Sequence, residues 1–407
     1  MPFILRKFGD RYSPLYFLAA LGAGGLMVTF FMYLMFWVPH PGRAVPIFED
    51  MAAVLQGQNT ALKAAVWVAY VGIGFFALMH FRLLIWNVSE YLAFRKTDAW
   101  KTLVSGNAET QLMAIPLTLA MSINAGFILG LVFVPGLWNV VEYLFPIAML
   151  AFLAVGVLAF RIMGAFFGRV LSQGGFDCSK NNSFAQMLPA FAIAMVGVGL
   201  AAPAAMSATK WIMATSYILS TFFIVAAVIM GTVALFLGFR SMLENGAQEE
   251  GAPTLWVAIP IMTVVAIALM RQDHGMHVQL GSRGNQADLF EMLTTMVSVQ
   301  LLFALLGFLV LRRVGYFAKY VFGHARSAGS YALVCPGVAM SVLLQFWINK
   351  GLVGGGIMEK FSTGYLALTA VAIALQIVTI ALVFHLNASH FAGKRSDPAL
   401  KATVRGA

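Results

Sequence analysis

Charge is the scarcest ingredient of this 407-residue chain: Asp, Glu, Lys and Arg together make up 10% of it, and 60% is apolar. Ordinary globular domains carry about 25% charged residues. A water-facing surface cannot be built from so few, so the surrounding solvent is lipid. Cysteine is nearly absent too. Cys178 and Cys335 make neither a metal-binding spacing nor a disulfide framework. Cys335 lies inside an apolar run and reads first as a small core side chain. Acidic residues number 16 against 26 Lys and Arg, a formal net charge of +10. In a soluble protein that balance would suggest nucleic acid. Here the basic residues stand singly or in pairs between apolar runs, which excludes a nucleic-acid stripe and points to orientation in a bilayer. The first apolar run is too long, and leads to no small-residue cleavage site, for a cleavable signal peptide.

Apolar runs long enough to cross a hydrocarbon core of roughly 20 residues fall at 12–40, 64–81, 110–141, 143–160, 181–209, 211–239, 252–270, 292–311, 327–349 and 361–384. The expectation is an all-α integral membrane protein with ten transmembrane helices in one domain over 1–407. Residues 87–109 read as a cytoplasmic interfacial loop and 387–407 as a basic cytoplasmic tail. Arg43, Lys63, Lys210, Arg271, Arg283, Lys350 and Lys360 fall on one side of such a topology, and every other Lys and Arg on the opposite side. The positive-inside rule then places both termini in the cytoplasm.

Each odd-numbered span carries a proline near its start: Pro14, Pro116, Pro189, Pro260 and Pro336. Each even-numbered span returns to a basic marker: Arg82, Arg161, Arg240 and Arg312, then His385. The separation is 68 residues in the first unit and 45, 51, 52 and 49 in the others, the first being lengthened by the loop 39–63. A recurring helical hairpin accounts for this. Proline removes a backbone donor and bends a helix, and irregular backbone is tolerated in a membrane where it is buried in protein or lines a cavity. The expected architecture is therefore five hairpins around a central pore with pseudo-fivefold symmetry, the odd helices inside. Scattered packing kinks are the plainer explanation of the same prolines.

Three segments resemble a known family. Asn182-Ser-Phe-Ala-Gln-Met-Leu-Pro-Ala190 is similar to the fifth-helix entry of the TehA-like tellurite-resistance/dicarboxylate transporters, relatives of the plant slow-type anion channels and fungal malate permeases. The Pro260 segment ending in Asp273-His274-Gly275 resembles the seventh helix, and Tyr331-Ala-Leu-Val-Cys-Pro336 the ninth. The resemblance implies five hairpins about a central pore, a homotrimer in a bacterial-type inner membrane, and passage of small anions such as chloride, nitrate, sulfite or dicarboxylates. It also implies a phenylalanine plug on the ninth helix, a position that falls here on Cys335. Either the plug lies elsewhere, with Phe17, Phe127, Phe191 and Phe346 as candidates, or the register differs by a residue or more.

An anion pathway needs weak ligands such as hydroxyls and amides. Ser13, Thr29, Thr118, Ser122, Asn124, Thr263, Ser341 and Gln345 are candidates on the odd spans, although helix-to-helix hydrogen bonding is the plainer role of each. Arg271 can draw anions to the mouth, or serve as an ordinary interfacial arginine. Asp273, His274 and His277 form the richest polar cluster, more readily a solvated loop than a metal site. No cofactor and no metal are expected, and the partners are small anions and lipid. Two other classes compete. A haem-binding electron-transfer subunit would pair histidines across helices, but His40, His80, His274, His277, His324, His385 and His390 avoid the middle of the spans. A membrane-embedded enzyme would gather nucleophiles or carboxylates at one face, and no such cluster stands out.

Overall fold

A computed structural model describes residues 6–281 and 285–391. Among the described residues there are ten helices long and apolar enough to cross a membrane. They are α1 (Pro14–Trp37), α2 (Thr60–Phe94), α3 (Asn107–Phe133), α4 (Leu137–Gln173), α5 (Ala185–Met206), α6 (Lys210–Asn245), α7 (Ala252–Leu280), α8 (Gln286–Arg313), α9 (Ala328–Val353) and α10 (Thr363–Phe391). This is the pattern of a multi-pass membrane protein. Arg283 and the basic residues Lys394, Arg395, Lys401 and Arg405 of the expected tail lie outside the described residues.

The ends of these helices are set by caps rather than by charge. Asn59 accepts a hydrogen bond from the Leu62 amide at 3.0 Å and starts α2, and Asn285 accepts from the Ala287 amide at 3.1 Å to start α8. α6 stops at Gly246, which adopts a φ of +72° open to glycine at little cost. Charged residues do not end a helix. α2 accordingly runs through Arg82 to Phe94, and the segment expected to be an interfacial loop over 87–109 begins as helix. Asn87 and Glu90 are buried within it, and a short helix, Asp98–Val104, follows. The Glu90 carboxylate accepts the Phe8 amide at 2.7 Å, which ties the amino-terminal segment to α2.

The five prolines expected to bend the odd spans sit where 3-10 helix gives way to α-helix. Pro116, Pro189, Pro260 and Pro336 each occupy the second or third residue of the α-helical part, after a 3-10 turn, and Pro14 opens the 3-10 turn that precedes Phe17. A ring nitrogen costs no hydrogen bond in the first turn of an α-helix, so proline fits this junction. α9 ends differently, in a π-helical turn over Trp347–Val353.

Consecutive helices pack in pairs: α1 with α2, α3 with α4, α5 with α6, α7 with α8 and α9 with α10. Among the odd-numbered helices, α1 packs against α3, α3 against α5, α5 against α7, α7 against α9, and α9 against α1. Burial follows the same division. In the most apolar window of each odd helix 50–94% of residues are buried, against 22–44% in the even ones. Leu78, Leu150, Ile218, Leu305 and Val378, one on each even helix, are more than 60% exposed, as residues facing acyl chains are.

Candidate functional site: a cavity among the odd-numbered helices

The Pro-linked junctions and the small residues of α1 and α5 leave space between the odd helices. A cavity of about 320 Å³ is lined by all five of them. Leu21, Gly25 and Val28 come from α1, Met121 and Asn124 from α3, Phe191 and Met195 from α5, Thr263 and Arg271 from α7, and Val338, Phe346 and Lys350 from α9. Ala44 and Val45, in the extra loop between α1 and α2, also line it. That loop is held by the ion pair of Arg43 with Asp50 and by Glu49, whose carboxylate accepts the Gly136 amide at 2.7 Å from the α3–α4 turn.

A second cavity of about 160 Å³ lies at the 3-10 ends of the odd helices, lined by Leu15, Leu18, Gln111, Leu188, Thr254, Val257 and Ala332 among others. The two cavities share three residues: Phe191, Pro260 and Cys335. Phe191 is 4% exposed and Cys335 9%. These three residues, which border both spaces, make the septum between them.

Of the five residues considered as plugs, Phe191 and Cys335 stand in this septum. Phe127 and Phe346 line the larger cavity but are braced by neighbours: Phe127 stacks on Phe145 at 6.1 Å, and Phe346 meets Phe36 edge-on at 5.1 Å. Phe17 lines neither space and packs edge-on to Tyr91.

The polar candidates divide in the same way. Asn124, Thr263 and Arg271 line the larger cavity. The Asn124 amide makes only a long contact of 3.8 Å to the Met195 sulfur. Thr263 donates to the Ala339 carbonyl at 3.0 Å and accepts from Gln300 at 2.6 Å, so its hydroxyl is largely spent. Arg271 uses one N–H on the Val198 carbonyl at 2.9 Å. The remainder serve packing. Ser13 donates to Gln111 at 3.2 Å, and Thr29 to the Leu26 carbonyl at 2.7 Å. Thr118 donates to the Ala114 carbonyl at 2.8 Å, and Ser122 to that of Thr118 at 2.9 Å. Ser341 donates to the Ala372 carbonyl at 2.8 Å, and the Gln345 side-chain oxygen accepts from Asn349 at 3.4 Å. A hydroxyl returning its proton to a backbone carbonyl is the ordinary way to satisfy it in an apolar helix.

Lys350 is the residue that sequence reasoning passed over. It looked like a lone basic residue at the end of a span, yet the π-helical turn of α9 brings it to the cavity that Arg271, Asp273, His274 and His277 line. Neither Arg271 nor Lys350 has an ion-pair partner among the described residues. The described residues contain no group of three or more His, Cys, Asp or Glu side chains placed to hold a metal ion. His80 is not at a helix end but well inside α2 and fully buried. Its Nδ1 donates to the Ala20 carbonyl at 2.7 Å and its Nε2 pairs with Ser122 at 2.8 Å, which locks α1, α2 and α3 together. Searched against protein-family models and against curated proteins, the chain has no match.

Proposed function

We propose that the chain is a membrane channel or transporter for small anions, not an enzyme, with five helical hairpins arranged with pseudo-fivefold symmetry and the odd-numbered helices lining a central pathway. The observation that carries this reading is the larger cavity: it lies among all five odd helices and receives two cations, Arg271 and Lys350, that have no ion-pair partner among the described residues. These two cations outnumber the one carboxylate that lines the cavity, Asp273, and a net positive charge beside a mostly apolar chamber favours anions over cations through the field it focuses there. The second cavity beyond Phe191, Pro260 and Cys335 supports a path that continues past the septum. The start-of-helix position of Leu188, Val257 and Ala332 in that second space adds the positive ends of helix dipoles, beside one carboxylate, Glu250.

In this proposal Phe191 and Cys335 form the gate. The resemblance to the TehA-like transporters adds a homotrimer, and the proposal includes a bacterial-type inner membrane with both termini in the cytoplasm, as the distribution of basic residues suggests. Efflux from proteoliposomes loaded with chloride, nitrate, sulfite or malate tests it: saturable or voltage-driven anion flux is the expected result. No flux of any of these anions at either polarity, and none after Phe191 is shortened to alanine, contradicts it.

A further inference from the structure

The walls of the larger cavity narrow the kind of anion it suits. Apart from its mouth, the space is bounded by side chains such as Phe31, Met35, Phe127, Phe152, Met195 and Met206. A bare inorganic ion entering it gives up its hydration shell, and thioethers and phenyl rings return almost none of that energy. Two cationic groups line it, Arg271 on α7 and Lys350 on the π-helical turn of α9. Arg271 spends one of its N–H groups on the Val198 carbonyl, and a guanidinium has five. One exposed carboxylate, Asp273, shares this mouth, so the cations outnumber it. Asn124 supplies an amide to a wall whose other polar group away from the charged residues is the Thr263 hydroxyl, already bonded to Ala339 and Gln300. A volume of about 320 Å³ falls at the lower end of the roughly 300–1,000 Å³ of small-molecule sites.

We infer that this cavity binds an amphiphilic organic monoanion, a carboxylate or sulfonate head on Arg271 with an apolar body of several carbons against the Met and Phe walls. Methionine is suited to such a wall because its flexible thioether adapts to irregular apolar shapes. The inference rests on the reading of the cavity as part of an anion pathway, and it names the substrate class.

Calorimetric binding to the full-length protein in lipid nanodiscs tests it, with acetate, butanoate and hexanoate as a series and hexanol as the uncharged control. Affinity is expected to rise by roughly fourfold for every methylene buried, and hexanoate should bind at least about tenfold more tightly than hexanol, the gain of a charge-assisted contact. Arg271→Gln should remove most of that difference while leaving hexanol unchanged. The wild-type series decides the matter even if that variant folds poorly. Equal affinity for acetate and hexanoate, or for hexanoate and hexanol, overturns the inference. The two readings fail separately. Protein that passes chloride but shows no chain-length gradient keeps the anion pathway and loses this substrate class. Protein that binds hexanoate yet passes no anion keeps the site and loses the pathway.

Discussion

The odd-numbered and even-numbered helices are almost equally apolar, with mean hydropathy of 1.7–2.1 in the former and 1.8–2.6 in the latter, yet one set is buried and the other is exposed. In water such a division would be driven by apolarity itself. In lipid it cannot be, because acyl chains solvate a leucine as well as another helix does. Close approach at small residues is one contribution. α5 brings Gly197 and Gly199 against Ile224 and Phe152, and α1 brings Gly22 and Gly25 against Val334 and Val338. Large side chains such as Leu150 and Ile218 are left to face outwards. Hydropathy alone does not decide which helices surround the cavity.

Substitutions in matched pairs can break that comparison. The largest contrast is expected at glycine. A Cβ at Gly275 of α7 would stand 2.2 Å from the Ala204 carbonyl oxygen of α5, so Gly275→Ala should destabilise by about 3 kcal/mol, the upper range for overpacking. Gly164 of α4 meets nothing within 4 Å. Gly164→Ala should therefore stabilise by up to about 1 kcal/mol through helix propensity. Thermal unfolding in nanodiscs reads both, and equal effects would erase the distinction. Next comes Leu26→Ala in α1, fully buried, which should cost about 2 kcal/mol because it leaves a void. Leu78→Ala, 75% exposed on α2, should stay within about 0.5 kcal/mol.

Charge gives the third contrast. Arg271→Gln should lower anion flux about tenfold, the effect of losing one charge-assisted contact of about 1.4 kcal/mol. Arg161→Gln, exposed on α4, should leave flux unchanged, and a matching loss there would show that net charge rather than position matters. The smallest effect belongs to the loop joining the two sets. Burial holds the His40 imidazole below its ordinary 6.5, more than its bond to the Val38 carbonyl raises it. The native state therefore binds fewer protons than the unfolded state below that pH, and stability falls as the pH drops through 6.5. His40→Gln should flatten that slope; an unchanged slope would assign it to another group.

Much of the helical frame was legible because length and charge-free runs suffice to count spans. The prolines marked the 3-10 to α junctions because their missing N–H is tolerated in few other places. Helix ends were less legible. Arg82 broke an apolar run without ending α2, since caps at Asn59 and the turn after Phe94 set its limits. The facing side of each odd helix was the least legible part. A helix apolar all round offers no period from which to read its inner face. Asn124 and Arg271 could be singled out for chemistry alone, whereas Ser341 turned out to bond Ala372 in α10, and Lys350 reached the cavity only through the packing of α9 on α7 and its π-helical turn.

The account stands or falls on the septum of Phe191, Pro260 and Cys335. Anion efflux from proteoliposomes, comparing wild type with Phe191→Ala, addresses it most directly. Removing the ring should speed efflux by about tenfold or more, since each 1.4 kcal/mol taken from a barrier is a factor of ten. Identical efflux from the two proteins, both folded, would mean that anions do not pass between these cavities.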